Sequence, residues 1–378
     1  MRRANFAIVD VDEFIRRFLI HVLPEFPPHS TLRPPRQWRA AWSAKNSGTP
    51  TLRPDGTLLT EPGYDAATGY LLFDPPAMPA IPEHPSRDDA LAALAVLEEL
   101  IEEFPFVDGV SHSVALSGIL TTIARPALAV APVHVFDKPV AGTGGSYLMD
   151  VVANLAIGTN APPLTMTFET EENEKRLAAA ALAGSPIIYL DNCSKPHWGP
   201  FLLTASSESK AQVRPLGKSD LVTVANTFTI FVVGINVEIG ADMVRRTVKS
   251  RMDADMERPE TRTFKRNPIA QTRADRGRYI AAALTAIRAY AAAGFPEELS
   301  PRAGYEDWSK FVRGPLVWLG KADPEESIQG MIFDDPQRQT RIDVFEALAA
   351  AGLADRPRTT ANAWRQVHEI LETDYRSP

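Results

Sequence analysis

Several features are scarce in this sequence of 378 residues. Its single cysteine, Cys193, excludes an internal disulfide framework, and we expect a reducing, cytoplasmic setting. No uninterrupted run of about 18 apolar residues occurs, so we expect no membrane span. The net charge of −7 excludes a general polyanion binder. Any contact with nucleic acid must therefore come from a local basic patch or from a surface assembled by several subunits.

Four regions follow from the pattern of apolar and turn-forming residues. Residues 1–85 are rich in proline and predict an irregular region with a small β-hairpin unit, or alternatively a packing appendage. Residues 86–130 predict a helical linker whose first helix is capped by Ser86. Residues 131–255 alternate apolar strands with helices, which predicts a three-layer α/β core, and residues 256–378 predict a helical lid and C-terminal region.

Four apolar runs predict the strands of this core: LAVAPVHVF (128–136), PLTMTF (163–168), SPIIYLDNC (185–193) and FTIFVVGIN (228–236). A hairpin is predicted around Gly217-Lys218. The basic segment 242–253 is predicted to be partly helical.

The loop AGTGGS (141–146) follows the first strand and precedes an apolar-periodic segment. Small residues let backbone N–H groups surround phosphate oxygens at a helix N-terminus. Ser146 lies where a hydroxyl would hold Mg²⁺, but the pattern G-x-x-x-x-G-K-[ST] is broken by Pro139 and Gly145, which replace its first glycine and its lysine. A plain glycine-rich turn is the alternative. The candidate nucleotide-binding residues here are Gly142, Thr143, Gly144, Gly145, Ser146 and Tyr147.

Two later strands end in polar residues. Asp191 would lie beside the loop and hold the water shell of Mg²⁺, and Asn192 can orient a water but cannot accept its proton. Asn236 suits a contact with a γ-phosphate. For each of these residues, a structural role in a turn is the alternative.

Basic residues supply two further candidate sites. Arg245 and Arg246 suit an arginine finger that reaches a neighbouring subunit, or else a solvated helix face. Arg214 and Lys218 flank the predicted hairpin tip and suit contacts with DNA phosphates. The basic stretch from Arg33 to Arg39 is the rival DNA-binding segment.

Taken in order, these features resemble the ring-forming AAA+ ATPases, above all the superfamily 3 helicases and the helicase-like modules of phage and plasmid primase proteins. The resemblance covers roughly residues 86 to 320. It implies a P-loop core, ATP and Mg²⁺ as cofactors, a homo-oligomer in the form of a hexameric ring, and single-stranded DNA or a DNA fork as partner. It further implies a primase or replication protein as partner, and Arg273 or Arg276 as a second sensor in the lid.

Two departures from that family bear on activity. Gly145 removes the lysine, which leaves three explanations: an engineered or recent change in an active ATPase, which we favour; natural decay to a scaffold subunit; or compensation by another lysine. Lys138 begins the loop and is expected to point to solvent. On the favoured explanation, Gly145→Lys should raise nucleotide affinity and the ATPase rate at least about tenfold.

Asn192 removes the usual acid. The candidate substitutes for it as a base are Glu171, Glu172 and Glu174, on the predicted helix that follows the second strand, 163–168. We therefore predict a ring-forming, DNA-dependent ATPase, a helicase-like motor impaired in hydrolysis by Gly145. The alternatives are a non-catalytic scaffold ring that binds nucleic acid and a P-loop kinase of small molecules.

Overall fold

A computed structural model describes residues 45–333, apart from 168, 195–197, 216–219 and 297–298, together with 345, 346 and 349. The short N-terminal strands are β1 (Lys45–Ser47), β2 (Thr51–Leu52), β3 (Leu58–Leu59), β4 (Gly63–Asp65) and β5 (Tyr70–Leu72). Strands β2 and β3 form an antiparallel pair, while β1, β5 and β4 form a three-stranded sheet. The predicted small β unit is therefore present in the described part of this region.

Five parallel strands form the central sheet. They are β6 (Val133–Lys138), β7 (Leu164–Thr165), β8 (Ile187–Asp191), β11 (Thr229–Ile235) and β12 (Thr247–Arg251). Their order is β12-β6-β11-β8-β7, so β11 lies between the strand that precedes the glycine-rich loop and the strand that ends at Asp191. The antiparallel pair β9 (Lys210–Val213) and β10 (Val222–Ala225) is inserted between β8 and β11 and confirms the predicted hairpin.

Helices cover both faces of this sheet. The helices are α1 (Arg87–Ile101), α2 (Gly109–Ala124), α3 (Gly145–Ile157), α4 (Thr170–Leu182), α5 (Pro200–Ala205), α6 (Ala241–Val244), α7 (Pro268–Ala274), α8 (Arg276–Ala292), α9 (Glu306–Trp308), α10 (Gly314–Trp318) and α11 (Ser327–Phe333). A π-helical turn at Ser309–Arg313 joins α9 to α10.

The alternation of side chains along each strand divides the core into two layers. Phe136 and Phe231 face the cluster built with α1, α2, α3 and α8, whereas Val135 and Val232 face the cluster built with α4 and α5. The three-layer α/β core predicted from the sequence is thus confirmed.

The first helix follows its sequence signals closely. Ser86 accepts a hydrogen bond from the Asp89 backbone N–H, and the Asp89 side chain accepts from the Ser86 backbone N–H, which completes a capping box. Helix α8 packs along α1, and its apolar residues belong to the same core cluster. Helix α8 is thereby part of the helical layer that covers this face of the sheet.

The segment 242–253, predicted to be partly helical, also contains a strand that the sequence analysis did not predict. Only Ala241–Val244 is helical, and Thr247–Arg251 is the edge strand β12. Polar residues obscured this strand, because Ser250 donates to the Ser111 carbonyl and Lys249 forms a buried ion pair with Asp137 at 2.9 Å. Within the described residues, no helix has the length and apolar character needed to cross a bilayer.

Candidate phosphate-binding site

The loop after β6 forms a cradle of backbone donors. Gly142 and Gly144 have φ of 82° and 113°, a left-handed conformation that glycine adopts readily. The backbone N–H groups from Gly142 to Ser146 donate to none of the residues that the structure describes. Since α3 is a helix of 13 residues, its positive N-terminal end adds to the attraction for an anion.

Ser146 and Asp191 meet at the edge of this cradle. The Ser146 hydroxyl donates to the two Asp191 carboxylate oxygens at 3.2 and 3.4 Å. The two residues come from different elements, the first turn of α3 and the carboxyl end of β8. The predicted pairing of a loop hydroxyl with a strand-end acid is therefore present.

Asn192 and Asn236 follow β8 and β11 at the same edge of the sheet. Both have positive φ, 53° and 48°, and both are exposed. The Asn236 backbone N–H donates to the Lys138 carbonyl at 3.0 Å, which fixes this residue beside the loop strand. Gly234 permits the close approach of the next turn, because a Cβ there would lie 1.7 Å from the Cys193 carbonyl oxygen.

Lys138 corrects an expectation from the sequence. It is the last residue of β6, and side-chain alternation puts it on the same face as Phe136, toward α3. The residue as a whole is only 8% exposed, so its side chain does not point to solvent. Burial lowers the pKa of Lys138 below its ordinary value, while the negative charge of Asp191 opposes that shift.

Arg245 and Arg246 lie near the start of β12, at the sheet edge opposite the loop. Because β6 has six residues, that edge is roughly 17 Å from the loop. Arg246 donates to the Leu203 carbonyl at 2.6 Å and to the Ser207 hydroxyl, so it is held within its own chain. The Arg245 side chain is exposed and forms no hydrogen bond or ion pair with the described residues.

Neither sensor candidate of the lid reaches the loop. Arg276 donates to the carbonyls of Leu155 and Ala156 at 2.9 Å each, near the C-terminal end of α3. That end is about 15 Å from Gly145, at 1.5 Å per helical residue. Arg273 donates to the Asn154 side chain at 2.8 Å. Arg276 therefore stabilises the end of α3 instead of sensing a phosphate at the loop of its own chain.

The three candidate acids of α4 have local partners. Glu171 pairs with Lys175 and Glu172 with Arg176, and Glu174 accepts from a backbone N–H of α5. These contacts leave no acid from this set beside the loop.

A different acid is closer to the site. Asp150 lies one helical turn after Ser146, and burial together with the charge of Asp191 raises its pKa, against the influence of Arg273. The i to i+4 spacing from Ser146 was the signal in the sequence for this residue.

The hairpin candidates are only partly described. Arg214 follows β9 and is exposed. Lys218 lies outside the described residues, as does the stretch from Arg33 to Arg39. The assignment of DNA contacts to these residues remains a prediction.

A largely apolar cavity of about 360 Å³ adjoins the loop. Gly142, Gly144 and Tyr147 form one side, and Phe104 and Phe264 line it from the turn after α1 and from the segment before α7. The rings of Phe104 and Tyr147 have centroids 6.1 Å apart. No local sequence pattern indicates this cavity, since its walls come from three separate segments.

Comparisons with known proteins give no family. No protein-family model and no curated protein match the chain. Among solved structures, the A form apo structure of the NrS-1 C terminal region has a TM-score of 0.38 and 13% identity, covering 72% of this chain and 60% of that one. The apo structure of the NrS-1 C terminal region (305-718) has a TM-score of 0.38 and 11% identity, covering 85% of this chain and 66% of that one. The X-ray structure of JCV Helicase has a TM-score of 0.29 and 10% identity, covering 65% of this chain and 73% of that one. Likenesses with TM-scores this low carry no argument about this chain.

Proposed function

We propose that this chain binds a nucleoside triphosphate with Mg²⁺ at the loop 141–146 and hydrolyses it as a helicase-like motor on nucleic acid. The observation that carries the proposal is the contact between Ser146 and Asp191 beside a loop of unengaged N–H groups. A glycine-rich turn that binds no ligand would not require the Ser146–Asp191 contact or the unengaged N–H groups. A strand-end aspartate that only caps a turn has no need for the serine.

The residues present fit Mg²⁺ and a triphosphate. Mg²⁺ binds oxygen ligands, and it commonly uses one or two protein groups together with phosphate oxygens and waters. Ser146 and Asp191 supply such groups, and the backbone N–H groups supply donors to phosphate oxygens. Ser146 and Asp191 would hold the Mg²⁺, which would neutralise negative charge on the phosphates.

The cavity beside the loop suits a nucleobase. It has the size and apolar character typical of small-molecule sites, which begin at about 300 Å³. Phe104, Tyr147 and Phe264 offer aromatic surface to a base whose phosphates occupy the loop.

Three positions favour a motor that works as a ring over a P-loop kinase. Asn236 lies next to the loop strand, the hairpin of β9 and β10 interrupts the core between β8 and β11, and Arg245 is exposed at the edge away from its own loop. A hexameric ring, ATP as the nucleotide and single-stranded DNA or a fork as partner belong to this proposal. So does an association with a primase or replication protein.

A non-catalytic ring is the second candidate. Asn192 replaces the usual acid, and the acids of α4 are engaged elsewhere. This candidate keeps nucleotide and DNA binding but predicts no turnover.

The test is ATP hydrolysis with and without single-stranded DNA, combined with light scattering for the oligomeric state. We expect Mg²⁺-dependent hydrolysis that DNA stimulates, and a loss of at least tenfold in Asp191→Asn, by analogy with removal of other charge-stabilising groups. Asp220→Asn is the matched control, since Asp220 is exposed and outside the site. Binding without turnover would favour the scaffold, and a strict monomer that phosphorylates a small acceptor would favour the kinase.

A further inference from the structure

The end of β6 carries a cation that the sequence motif does not anticipate. Lys138 is paired in register with Ile235 of β11, and its carbonyl accepts from Asn236. These two contacts fix the Lys138 backbone against β11. Because the β6 side chains alternate, Asp137 faces Lys249 and Val237 on one side, and Lys138 faces α3 on the other.

The Lys138 ammonium feels the charge of Asp191 but makes no direct contact with a carboxylate or carbonyl of the described residues. The residue as a whole is 8% exposed, yet Nζ forms no hydrogen bond or ion pair with the residues that the structure describes. Burial of a cation without a direct partner costs free energy, so a bound anion at this position would stabilise the protein. The unengaged N–H groups of the loop lie beside it and call for the same kind of ligand.

Lys138 Nζ lies beside Gly145. A Cβ at 145 would lie 3.5 Å from Lys138 Nζ, an ordinary contact, but 2.8 Å from Val233 Cγ1, which is closer than real Cβ atoms come to a neighbour. Val233 is fully buried and cannot move aside easily. A lysine at 145 would therefore require Val233 or the first turn of α3 to shift, whereas Lys138 Nζ reaches the side of residue 145 from the strand.

We propose that Lys138 binds the β- and γ-phosphates of the nucleotide in place of a lysine at position 145. This inference rests on the proposed function. On this proposal, Gly145 belongs to a site whose lysine comes from β6, and the glycine at 145 is not a loss of function.

The test measures the affinity for Mg·ATP, for AMP and for inorganic tripolyphosphate by calorimetry in the wild type and Lys138→Met. We expect the variant to lose about ten- to a hundredfold in affinity for ATP and tripolyphosphate, the range for one charge-assisted contact. The affinity for AMP should change less than about twofold, because AMP lacks both phosphates. Lys175→Met is the control, since Lys175 is an exposed lysine that pairs with Glu171.

Thermal unfolding without ligand separates binding from folding. Removal of an unpaired buried charge should leave the melting temperature of Lys138→Met equal to that of the wild type or higher. If that variant fails to fold, Lys138→Arg carries the test, and it should retain the preference for ATP over AMP. Unchanged ATP affinity in Lys138→Met, an equal loss for ATP and AMP, or loss of the preference in Lys138→Arg would overturn the inference. A wild type that binds neither ATP nor tripolyphosphate would instead refute the proposed function.

Discussion

Substitution of Gly145 tests the packing at the start of α3 most sharply. In Gly145→Ala, the new Cβ meets Val233 Cγ1 at 2.8 Å, so β11 or the first turn of α3 must shift. Overpacking of a fully buried site costs about 1–3 kcal/mol. The same shift displaces the loop donors, so we expect nucleotide affinity to fall. Gly145→Lys should likewise lose stability and nucleotide affinity, whereas the motif alone predicts a tenfold gain in affinity.

Gly109→Ala is the matched control for this substitution. Gly109 begins α2 as Gly145 begins α3, but a Cβ there would meet only Ala322 Cβ at 3.7 Å, an ordinary contact. That variant should be as stable as the wild type or gain up to about 1 kcal/mol.

The measurements are urea unfolding and ATP calorimetry. They are made on the single variants, including Val233→Ala, and on the double variant that combines Gly145→Ala with Val233→Ala. Because Val233→Ala removes the clashing methyl, the two changes should be less destabilising together than their sum, by at least about 0.5 kcal/mol. If Gly145→Lys binds ATP tenfold more tightly than the wild type, the steric reasoning is refuted.

Three further predictions concern the interface, the hairpin and the core. Arg245→Ala should bind ATP normally but lose hydrolysis, and mixing it with Asp191→Asn should restore part of the activity if the arginine acts in a neighbouring subunit; no restoration would contradict that role. Arg214→Ala should lower the salt slope of single-stranded DNA binding by about 0.7 on unrelated sequences, whereas deletion of residues 1–45 should leave it unchanged; the reverse result would assign DNA to the N-terminal region. The buried ring of His134, whose Nε2 lies 3.1 Å from the Ser117 hydroxyl, has its pKa lowered by burial from 6.5 to about 3. Only the unfolded chain takes up this proton below pH 6.5, so the free energy of unfolding should fall by about 2 kcal/mol between pH 7 and pH 5; His134→Gln should lack that loss, and an equal loss in both proteins would contradict the assignment.

The apolar strands and capped helices were predictable because their patterns are local. Strands β6, β8 and β11 lie mostly within local apolar runs, and α1 begins at a capping box around Ser86. Strand β12 was missed because its buried polar side chains find partners only in the fold, such as Ser111 and Asp137. No local pattern reports such partners.

The candidate site was predictable where it follows a motif and not where it depends on geometry. The pairing of Ser146 with Asp191 follows from the order of loop and strand. The orientation of Lys138 depends on β6 continuing to residue 138, two residues beyond the apolar run, so that it shares a face with Phe136. The binding of Arg276 to the end of α3 depends on how α8 packs, which the sequence does not indicate.

A crystal structure with Mg²⁺ and a non-hydrolysable ATP analogue tests the central claim most directly. We predict density for the triphosphate over the loop 141–146, with the β- or γ-phosphate oxygens within about 3 Å of Lys138 Nζ and of the backbone N–H groups of Gly144 to Ser146. The metal should lie beside Ser146 and Asp191. A nucleotide bound elsewhere, or no binding at millimolar concentrations, would contradict the account.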